Sequence, residues 1–365
     1  METVKYRLDI RSEAGVKLAE VSDFLWLSMV RKVKKPGYVT IGLPFDHALM
    51  GYIGNRYQIE VWRRDEDLDI PWYKEFDAIY RGNRYEQRGA NNSLEITASG
   101  LLEMLAWRVV AYKSGKVDLS TFTAQPAETI MKRLVSYNAG ANATTANERL
   151  REGAISGLTV QADGAGGSVL DWACSMDGLL DTLSKLADVG GGDFDLIKGT
   201  DNASWDFRWY AGQRGTDRSG DVVFALGRGN MGDPSYSYSQ NDERTVCLVG
   251  GQDSGESREF VTRTGATYSA GNDSEFFLNA TDIKTTAGLE ARGDQALKKR
   301  LPEEKFSFGV LQTPGCLYGL HYFLGDLVSV ANPFTGAMIT HKVVGVTIGI
   351  QASGQETIQV ETELV

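Results

Sequence analysis

The chain is poor in the residues that build most recognisable chemistry. It has three cysteines, Cys174, Cys247 and Cys316, and they lie far apart. An odd, scattered set makes neither a disulfide framework nor a CxxC metal knuckle, and folding in a reducing cytosol is the simplest expectation. The three histidines, His47, His321 and His341, are equally dispersed. No H-E-x-x-H motif and no G-x-S-x-G nucleophile elbow occurs. Basic charge is also short. Against 48 Asp and Glu stand 38 Lys and Arg, for a net charge of −10. That balance argues against broad electrostatic binding to nucleic acid or to an anionic membrane. No run approaches the ~20 apolar residues of a membrane helix, so stable membrane insertion is not expected. Met1 to Lys5 lacks the apolar core of a signal peptide. Triplets of the form Asn-x-Ser/Thr begin at Asn91, Asn142, Asn202, Asn272 and Asn279; without a secretion signal they read as chance matches.

What is present is an ordinary globular balance, 42% hydrophobic and 24% charged. Its length predicts two or three domains at roughly 100–200 residues each. The C-terminal stretch is the clearest. Tyr318 to Val330 leads to a turn at Asn332-Pro333-Phe334-Thr335-Gly336. A run from His341 to Ile350 follows, then a turn at Ala352-Ser353-Gly354-Gln355, then Thr357 to Val365. Three runs of strand length separated by turn residues predict an antiparallel meander, with the C-terminus built into a sheet. Val328 and Val330 alternate with Ser329, and Ile358 and Val360 with Gln359, so each strand has one buried face.

Residues 4 to about 100 read as all-β. Val4, Tyr6, Leu8 and Ile10 alternate with polar residues; Val39 to Leu43, Tyr57 to Val61, Phe76 to Tyr80 and Ser93 to Ala98 complete the set. Asp65 to Asp69 is an acidic stretch that reads as a solvated hairpin tip. The spacing suggests a sandwich or small barrel. Helical periodicity then appears at Leu101 to Val110 and after Pro126, where Ile130, Leu134 and Val135 follow. Asn138 to Gly167 reads mostly as loop. The strongest helical pattern runs from Val169 to Ala187, with Ser168 as its N-cap and Gly190-Gly191-Gly192 as its end. Phe194, Leu196, Trp205, Phe207 and Trp209 read as a hairpin on that helix. β character returns from Asp221, and one more helix is expected between Asp282 and Arg300, capped by Asp282 or Thr285.

Each candidate site has a plainer reading. Gly227-Arg228-Gly229-Asn230-Met231-Gly232 matches G-x-G-x-x-G, but Asp233-Pro234 and an alternating Ser/Tyr run follow where a dinucleotide fold needs a helix, so it reads as a glycine-rich turn. Asp193-Phe194-Asp195 begins like a calcium loop, but Ile197 and Lys198 stand where Asp or Asn and Gly are required. Arg31, Lys32, Lys34 and Lys35 before Pro36-Gly37 read as a solvated turn rather than a binding patch. The histidines read as packed or half-exposed side chains. No carboxylate pair stands out for glycoside hydrolysis. Trp205 and Trp209 suit sugar stacking, but one strand face beside an apolar helix makes them core residues. No catalytic, cofactor-binding or metal-binding residue is assigned.

What remains is an order: β region, helix-containing region, β region. Four pieces in that order give a resemblance: Arg11-Ser12-Glu13-Ala14-Gly15 with Pro36-Gly37 and Leu43-Pro44; the Val169–Ala187 segment running into Gly192-Asp193-Phe194-Asp195-Leu196; Gly227 to Met231 before a Ser/Tyr-rich strand; and Tyr318-Gly319 with Leu324-Gly325-Asp326-Leu327-Val328-Ser329-Val330. On these the chain resembles the baseplate-hub or tail-tip hub proteins of tailed bacteriophages, most closely those of siphophages. The resemblance implies a mainly β protein of two antiparallel tube-like β-barrels plus an α+β peripheral domain. The first barrel would span 1–105. The middle domain would span 106–220, joined by the helix near 282–301. The second barrel would span 221–365 discontinuously, as 221–265 plus 303–365. It implies a homotrimeric ring with pseudo-sixfold symmetry, no enzyme activity and no cofactor. The expected partners are tail tube, distal tail, tape-measure and central spike or fibre proteins, with DNA passing through the lumen unbound. The expected place is the virion tail tip, after assembly in the host cytoplasm. Because the last strand ends the chain, any lytic activity is expected on another polypeptide. A glycan-binding or glycan-degrading tail protein, using Trp205, Trp209 and loop carboxylates, is the alternative.

Overall fold

The computed structural model describes residues 4–88, 91–112, 120–252, 257–271, 273–281, 285–351 and 353–365. The chain forms two compact units, one of residues 1–232, 309–332 and 336–365, the other of residues 233–308 and 333–335. It is mainly β.

In the first unit, β1 (Val4–Arg11), β2 (Lys17–Val21), β3 (Trp26–Lys32), β4 (Lys35–Pro44), β5 (Gln58–Asp65), β6 (Ile70–Arg88) and β7 (Asn91–Gly100) come first. They are followed by α1 (Glu103–Ala106), β8 (Ser120–Pro126), α2 (Ala127–Asn138), β9 (Leu158–Val160), β10 (Val169–Cys174), α3 (Leu179–Gly190), β11 (Gly192–Lys198), β12 (Trp205–Ala211) and β13 (Val223–Phe224). β14 (Met231–Ser239) leads into the second unit, which holds β15 (Val246–Gly250), β16 (Phe260–Thr264), β17 (Glu275–Asn279) and α4 (Thr286–Lys298); β18 (Glu303–Val310) leads out. The chain closes with β19 (Leu327–Ala331), β20 (Met338–Ile350) and β21 (Glu356–Leu364).

One eleven-stranded sheet dominates the first unit, in the order β13-β19-β20-β3-β4-β7-β6-β5-β1-β2, with β21 on β20. β20 does the joining. Its Met338–Lys342 half pairs with β19, its Gly345–Ile350 half pairs with β3, and β21 runs antiparallel to it from His341 to Ile350. The expected C-terminal meander is therefore present, and it is continuous with the N-terminal strands. Alternation buries one face: Leu8, Ile10, Met29, Val39, Ile41, Ile59, Val61, Leu94 and Ile96 are all buried. β13 and β2 end the sheet, and no closed barrel forms among the described residues.

The helix-containing lobe of this unit packs α2 and α3 against the β11–β12 hairpin, whose register pairs Phe194 with Trp209 and Leu196 with Phe207. Leu134, Leu183, Leu186, Phe194, Phe207 and Trp209 share one buried cluster. Two helix expectations need correction here. Val169 to Cys174 is a strand, not helix, because it pairs with β8, placing Trp172 opposite Phe122. Met176 then takes φ +55 and Gly178 becomes the N-terminal boundary of α3. Ser168 caps nothing; its amide donates to the carbonyl of Gly190 at 2.9 Å. A few apolar residues at i, i+3 spacing fit a twisted strand as well as a helix, and the unseen partner decided. Similarly Leu101 to Val110 keeps a single turn, because the amide of Val110 donates to the Asp177 carbonyl (2.8 Å) and the Arg108 carbonyl accepts from Leu179 (2.9 Å). The glycine stop is as expected: α3 ends at Gly190 and Gly191 takes φ +71, the left-handed closure that a Cβ would oppose.

In the second unit, α4 covers one face of the β16-β15-β17 sheet, burying Cys247, Val249, Leu289 and Leu297. Thr285 caps α4, its hydroxyl accepting from the amide of Gly288 at 3.2 Å. Asp282, the other expected cap, lies outside the described residues.

Candidate functional site: a buried charge network and an adjoining cleft

The concave side of the large sheet is not purely apolar. β5 places Arg63 inward and β21 places Glu356 inward, and the two meet in a forked pair, Nε to Oε1 at 2.9 Å and Nη2 to Oε2 at 3.0 Å. β5 and β21 are not neighbours in the sheet, so this contact means the sheet curls until distant strands face each other. The Tyr6 hydroxyl donates to Glu356, and Arg63 also donates to the hydroxyls of Tyr6 (3.0 Å) and Tyr73 (3.1 Å). A second knot lies alongside. Arg31 from β3 pairs with Glu75 from β6 and donates to the Tyr318 hydroxyl at 3.2 Å, while that hydroxyl donates to Glu75 at 2.8 Å. Burial and the nearby Glu75 push the Tyr73 phenol up, so Tyr73 adjoins both knots.

The electrostatics follow from enclosure. Burial, together with Glu356, pushes the Tyr6 phenol well up; burial and Glu75 do the same to Tyr318. Burial works against the charge on Arg31 and on Arg63. The Tyr318 and Glu75 environment outweighs it for Arg31, and the bond to Glu356 with Tyr6 outweighs it for Arg63, so both guanidinium groups are held more firmly charged. The arrangement is a forked, hydrogen-bonded ion pair with satisfied phenols, which fixes geometry. No phenolate or free base is poised in it for chemistry. Gly319 makes room for it: at φ +84, an added Cβ would stand 2.7 Å from the Tyr73 hydroxyl and 3.0 Å from Arg63 Nη1.

Beside this network a cavity of about 330 Å³ opens against the helix-containing lobe. Its walls carry Arg31, Lys32, Lys35, Lys74, Lys198 and Arg214, with Glu75, Asp77 and Asp195 between them. Phe76, Leu101, Leu196 and Leu324 also line it, the three leucines nearly fully buried. Lys198 has a side chain only 1% exposed; its ammonium bonds Glu60 at 2.6 Å and faces Asp77 at 3.8 Å. Burial pulls the Lys198 ammonium down and pushes the Asp77 carboxyl up. Glu60 is held low despite its burial, because Lys198 and Arg11 bond it.

The sequence candidates fall as follows. Arg31 is a correction: it is largely enclosed and paired, not part of a solvated turn. Of its neighbours, Lys32 pairs with Glu361 at 2.9 Å, Lys34 sits in the turn at φ +60 and pairs with Asp188, and Lys35 is exposed. The basic run looked solvated because its acidic partners lie tens to hundreds of residues away. Gly227 to Gly232 forms a short 3-10 turn and then a strand, with no helix; Asn230 ties it by accepting from the Ala225 amide and donating to the Val223 carbonyl, each at 2.9 Å. Asp193 and Asp195 start β11 and pair with Lys342 (2.5 Å) and Arg214 (2.7 Å). His47 accepts from the Leu49 amide at 3.1 Å, His321 accepts from the Leu317 amide at 2.9 Å, and His341 is buried against Thr362. Trp205 and Trp209 are buried in the lobe core, which removes them as a sugar-stacking surface. Among the described residues no group of His, Cys, Asp and Glu is arranged to hold a metal, and no helix is long and apolar enough to cross a membrane.

Comparison with known proteins fits this architecture. Among solved structures, the 43 kDa tail protein of prophage MuSo2 from Shewanella oneidensis superposes with a TM-score of 0.58 at 13% identity, over 98% of this chain and 97% of that one. A tail protein from Neisseria meningitidis gives 0.54 at 11% identity, over 98% and 96%. A chain of the Francisella PdpA-VgrG complex gives 0.57 at 8% identity, over 99% of this chain and 58% of that one. At these identities the likeness is one of fold. No curated protein matches the sequence. Residues 7–362 match the family described as Siphovirus ReqiPepy6 Gp37-like protein, and the chain belongs to that siphovirus tail protein family.

Proposed function

We propose that this chain is a structural hub of the phage tail tip: three copies form a ring that continues or closes the tail tube and leaves a channel for DNA. In this reading each copy contributes two barrel-like lobes, one from β1–β7 and one from β13 with β19–β21, so a threefold ring meets a sixfold tube. The domain limits would be 1–105, 106–220 and 221–365, the last discontinuous. The observation that carries the proposal is the end-to-end likeness, over nearly all of both chains, to a tail protein built on the same plan.

The strand edges supply a means of assembly. β5 pairs with β6 only as far as Ile79, and β21 pairs only with β20. Arg81 to Tyr85 and the outer side of β21 therefore present strand edges with no sheet partner among the described residues, each able to accept a strand of another copy. The net charge suits a lumen that repels phosphate, with more carboxylates than Lys or Arg on its wall. The ring's partners would be tube, distal-tail, tape-measure and spike or fibre proteins in the virion, after assembly in host cytoplasm.

The test is an image of the tail tip with this chain placed in it. Three copies presenting six barrel-like lobes around a channel are expected. A single copy, unrelated folds in the two lobes, or a strongly basic inner wall would overturn the proposal.

A further inference from the structure

Buried arginines are not all answered alike in this fold. Arg31 and Arg63 each have a glutamate against their charge. Arg149 has none. It is only 5% exposed, and its guanidinium donates to carbonyls alone, those of Arg151 (2.7 Å) and Val109 (3.5 Å), while its Nε has no hydrogen-bond partner among the described residues. Two more arginines share the spot. Arg108, half-buried just past α1, donates to the carbonyls of Gly153 (2.6 Å) and Trp107 (3.2 Å). Arg151 is exposed and bonds the Glu152 carbonyl at 3.3 Å. None of the three has an ion-pair partner among the described residues. The only carboxylate between Arg149 and Gly153 is that of Glu152, which accepts instead from the amide (2.9 Å) and hydroxyl (2.8 Å) of Thr145. Gly153 lets the guanidinium groups gather: an added Cβ there would stand 2.5 Å from Arg149 Cζ. Arg56 is close by, over the Trp107 ring at 5.6 Å, and its acid, Glu13, is 3.5 Å away and exposed.

The charges press on one another. Burial, then Arg151 and Arg56, loosen the proton of Arg108; burial, then Arg108 and Arg151, loosen that of Arg149, with Glu152 opposing. Like charges gathered together, one of them enclosed, cost stability unless an anion answers them. This happens in a chain where carboxylates outnumber cations, 48 to 38. We propose that Arg108 and Arg151 hold a phosphate group, free or as a monoester, beside the enclosed charge of Arg149. Guanidinium forks match phosphate oxygens, and a phosphate brings about −1.5 to −2 of charge where a carboxylate brings one. The inference goes beyond the tail-tip reading and does not depend on it.

The test uses the full chain, melted in chloride and in inorganic phosphate at equal ionic strength, with phosphate binding followed by calorimetry. Phosphate should raise the melting temperature above that in chloride. Arg151→Gln and Arg108→Gln should each weaken phosphate binding about tenfold. Arg84→Gln, at an exposed arginine paired with Glu86, should leave it unchanged. A crossover separates a binding role from a structural one. In chloride, Arg151→Gln should melt at or above the unsubstituted chain, because it removes repulsion; in phosphate it should melt below it. Glycerol 3-phosphate binding more tightly than phosphate would identify a monoester as the occupant, and the reverse order the free ion. Chloride and phosphate acting alike, Arg151→Gln binding phosphate as the unsubstituted chain does, or an equal loss of stability in both salts would overturn the site.

Discussion

The concave face of the large sheet and the core of the helix-containing lobe are held together by opposite means within one unit. The lobe packs Leu, Phe and Trp side chains from α2, α3 and the β11–β12 hairpin into one apolar cluster, with its buried polar groups, the Glu128–Lys132 pair and Asn138, bonded within the lobe itself. The curled sheet is tied across its concave face by two arginines, two glutamates and three tyrosines, drawn from β1, β3, β5, β6, β21 and the segment before β19. An apolar core tolerates small changes in register. A forked pair between Arg63 and Glu356 does not, since its two bonds are formed in one geometry. The difference teaches that the curl of the sheet is fixed by charge and hydrogen bonding, while the lobe is held by apolar packing. Substitutions in each region separate these roles.

The largest loss is expected in the lobe. Phe207 on β12 is fully buried in the apolar cluster of the lobe, its ring 5.8 Å from that of Phe194, and Phe207→Ala should cost about 3–5 kcal/mol in denaturant unfolding. Adding Leu183→Ala should deepen the loss. The sheet should behave differently. Arg63→Met leaves Glu356 enclosed without its counter-charge and should cost about 3 kcal/mol, whereas Arg63→Met with Glu356→Leu should recover most of that. The recovery concerns stability only: the double variant should lose the fixed curvature, read as lost hydrogen-exchange protection where β5 and β21 face each other. If the double variant is as unstable as the sum of the singles, the network is ordinary packing and the contrast fails.

These halves were unequally legible in the sequence. The C-terminal meander, the opening strand and the β11–β12 hairpin could be read because alternation and turn residues are local signals. The stop at Gly191 could be read for the same reason. β10 was misread as helix because its partner β8 lies some fifty residues earlier in the chain and carries too weak a pattern to be seen. The charge network could not be read at all. Arg63 and Glu356 are 293 residues apart, and each looks like an ordinary surface charge in its own stretch. Arg31 was hidden inside a basic run. Only the three-dimensional pairing distinguishes it from Lys35, four residues on. The cleft shares that fate, since its wall comes from β3, β4, β6, β11 and loops between them.

A matched pair of glycines tests the contrast with a smaller effect. Gly191 and Gly319 both have positive φ, +71 and +84. An added Cβ at Gly191 meets nothing within 4 Å, so Gly191→Ala should cost only the conformational penalty, about 1 kcal/mol. At Gly319 the same Cβ meets Tyr73 and Arg63, whose ends are pinned by buried hydrogen bonds. Gly319→Ala should therefore cost about 1 kcal/mol more than Gly191→Ala. Thermal unfolding of the two variants in parallel gives the difference directly. Equal losses would mean that the network yields freely, contrary to a role in fixing curvature.

The smallest effect is one of pH and belongs to the sheet alone. His341 sits buried in β20, with Nδ1 3.0 Å from the Thr362 hydroxyl across the β20–β21 pair. Burial lowers its pKa from the ordinary 6.5. The folded chain thus holds His341 neutral, and the unfolded chain takes up the proton more readily. Its contribution is intact above pH 6.5 and is lost as the pH falls through the unfolded value and then the folded one. Stability should decline on acidification before the carboxylate range is reached, and His341→Gln should flatten that decline. Hydrogen exchange can assign the loss: amides of β20 and β21 should lose protection first, while those of α3 hold theirs, because the lobe core contains no histidine to titrate. Uniform loss across both would mean that sheet and lobe unfold as one under acid, and that the division of labour does not extend to how the unit opens.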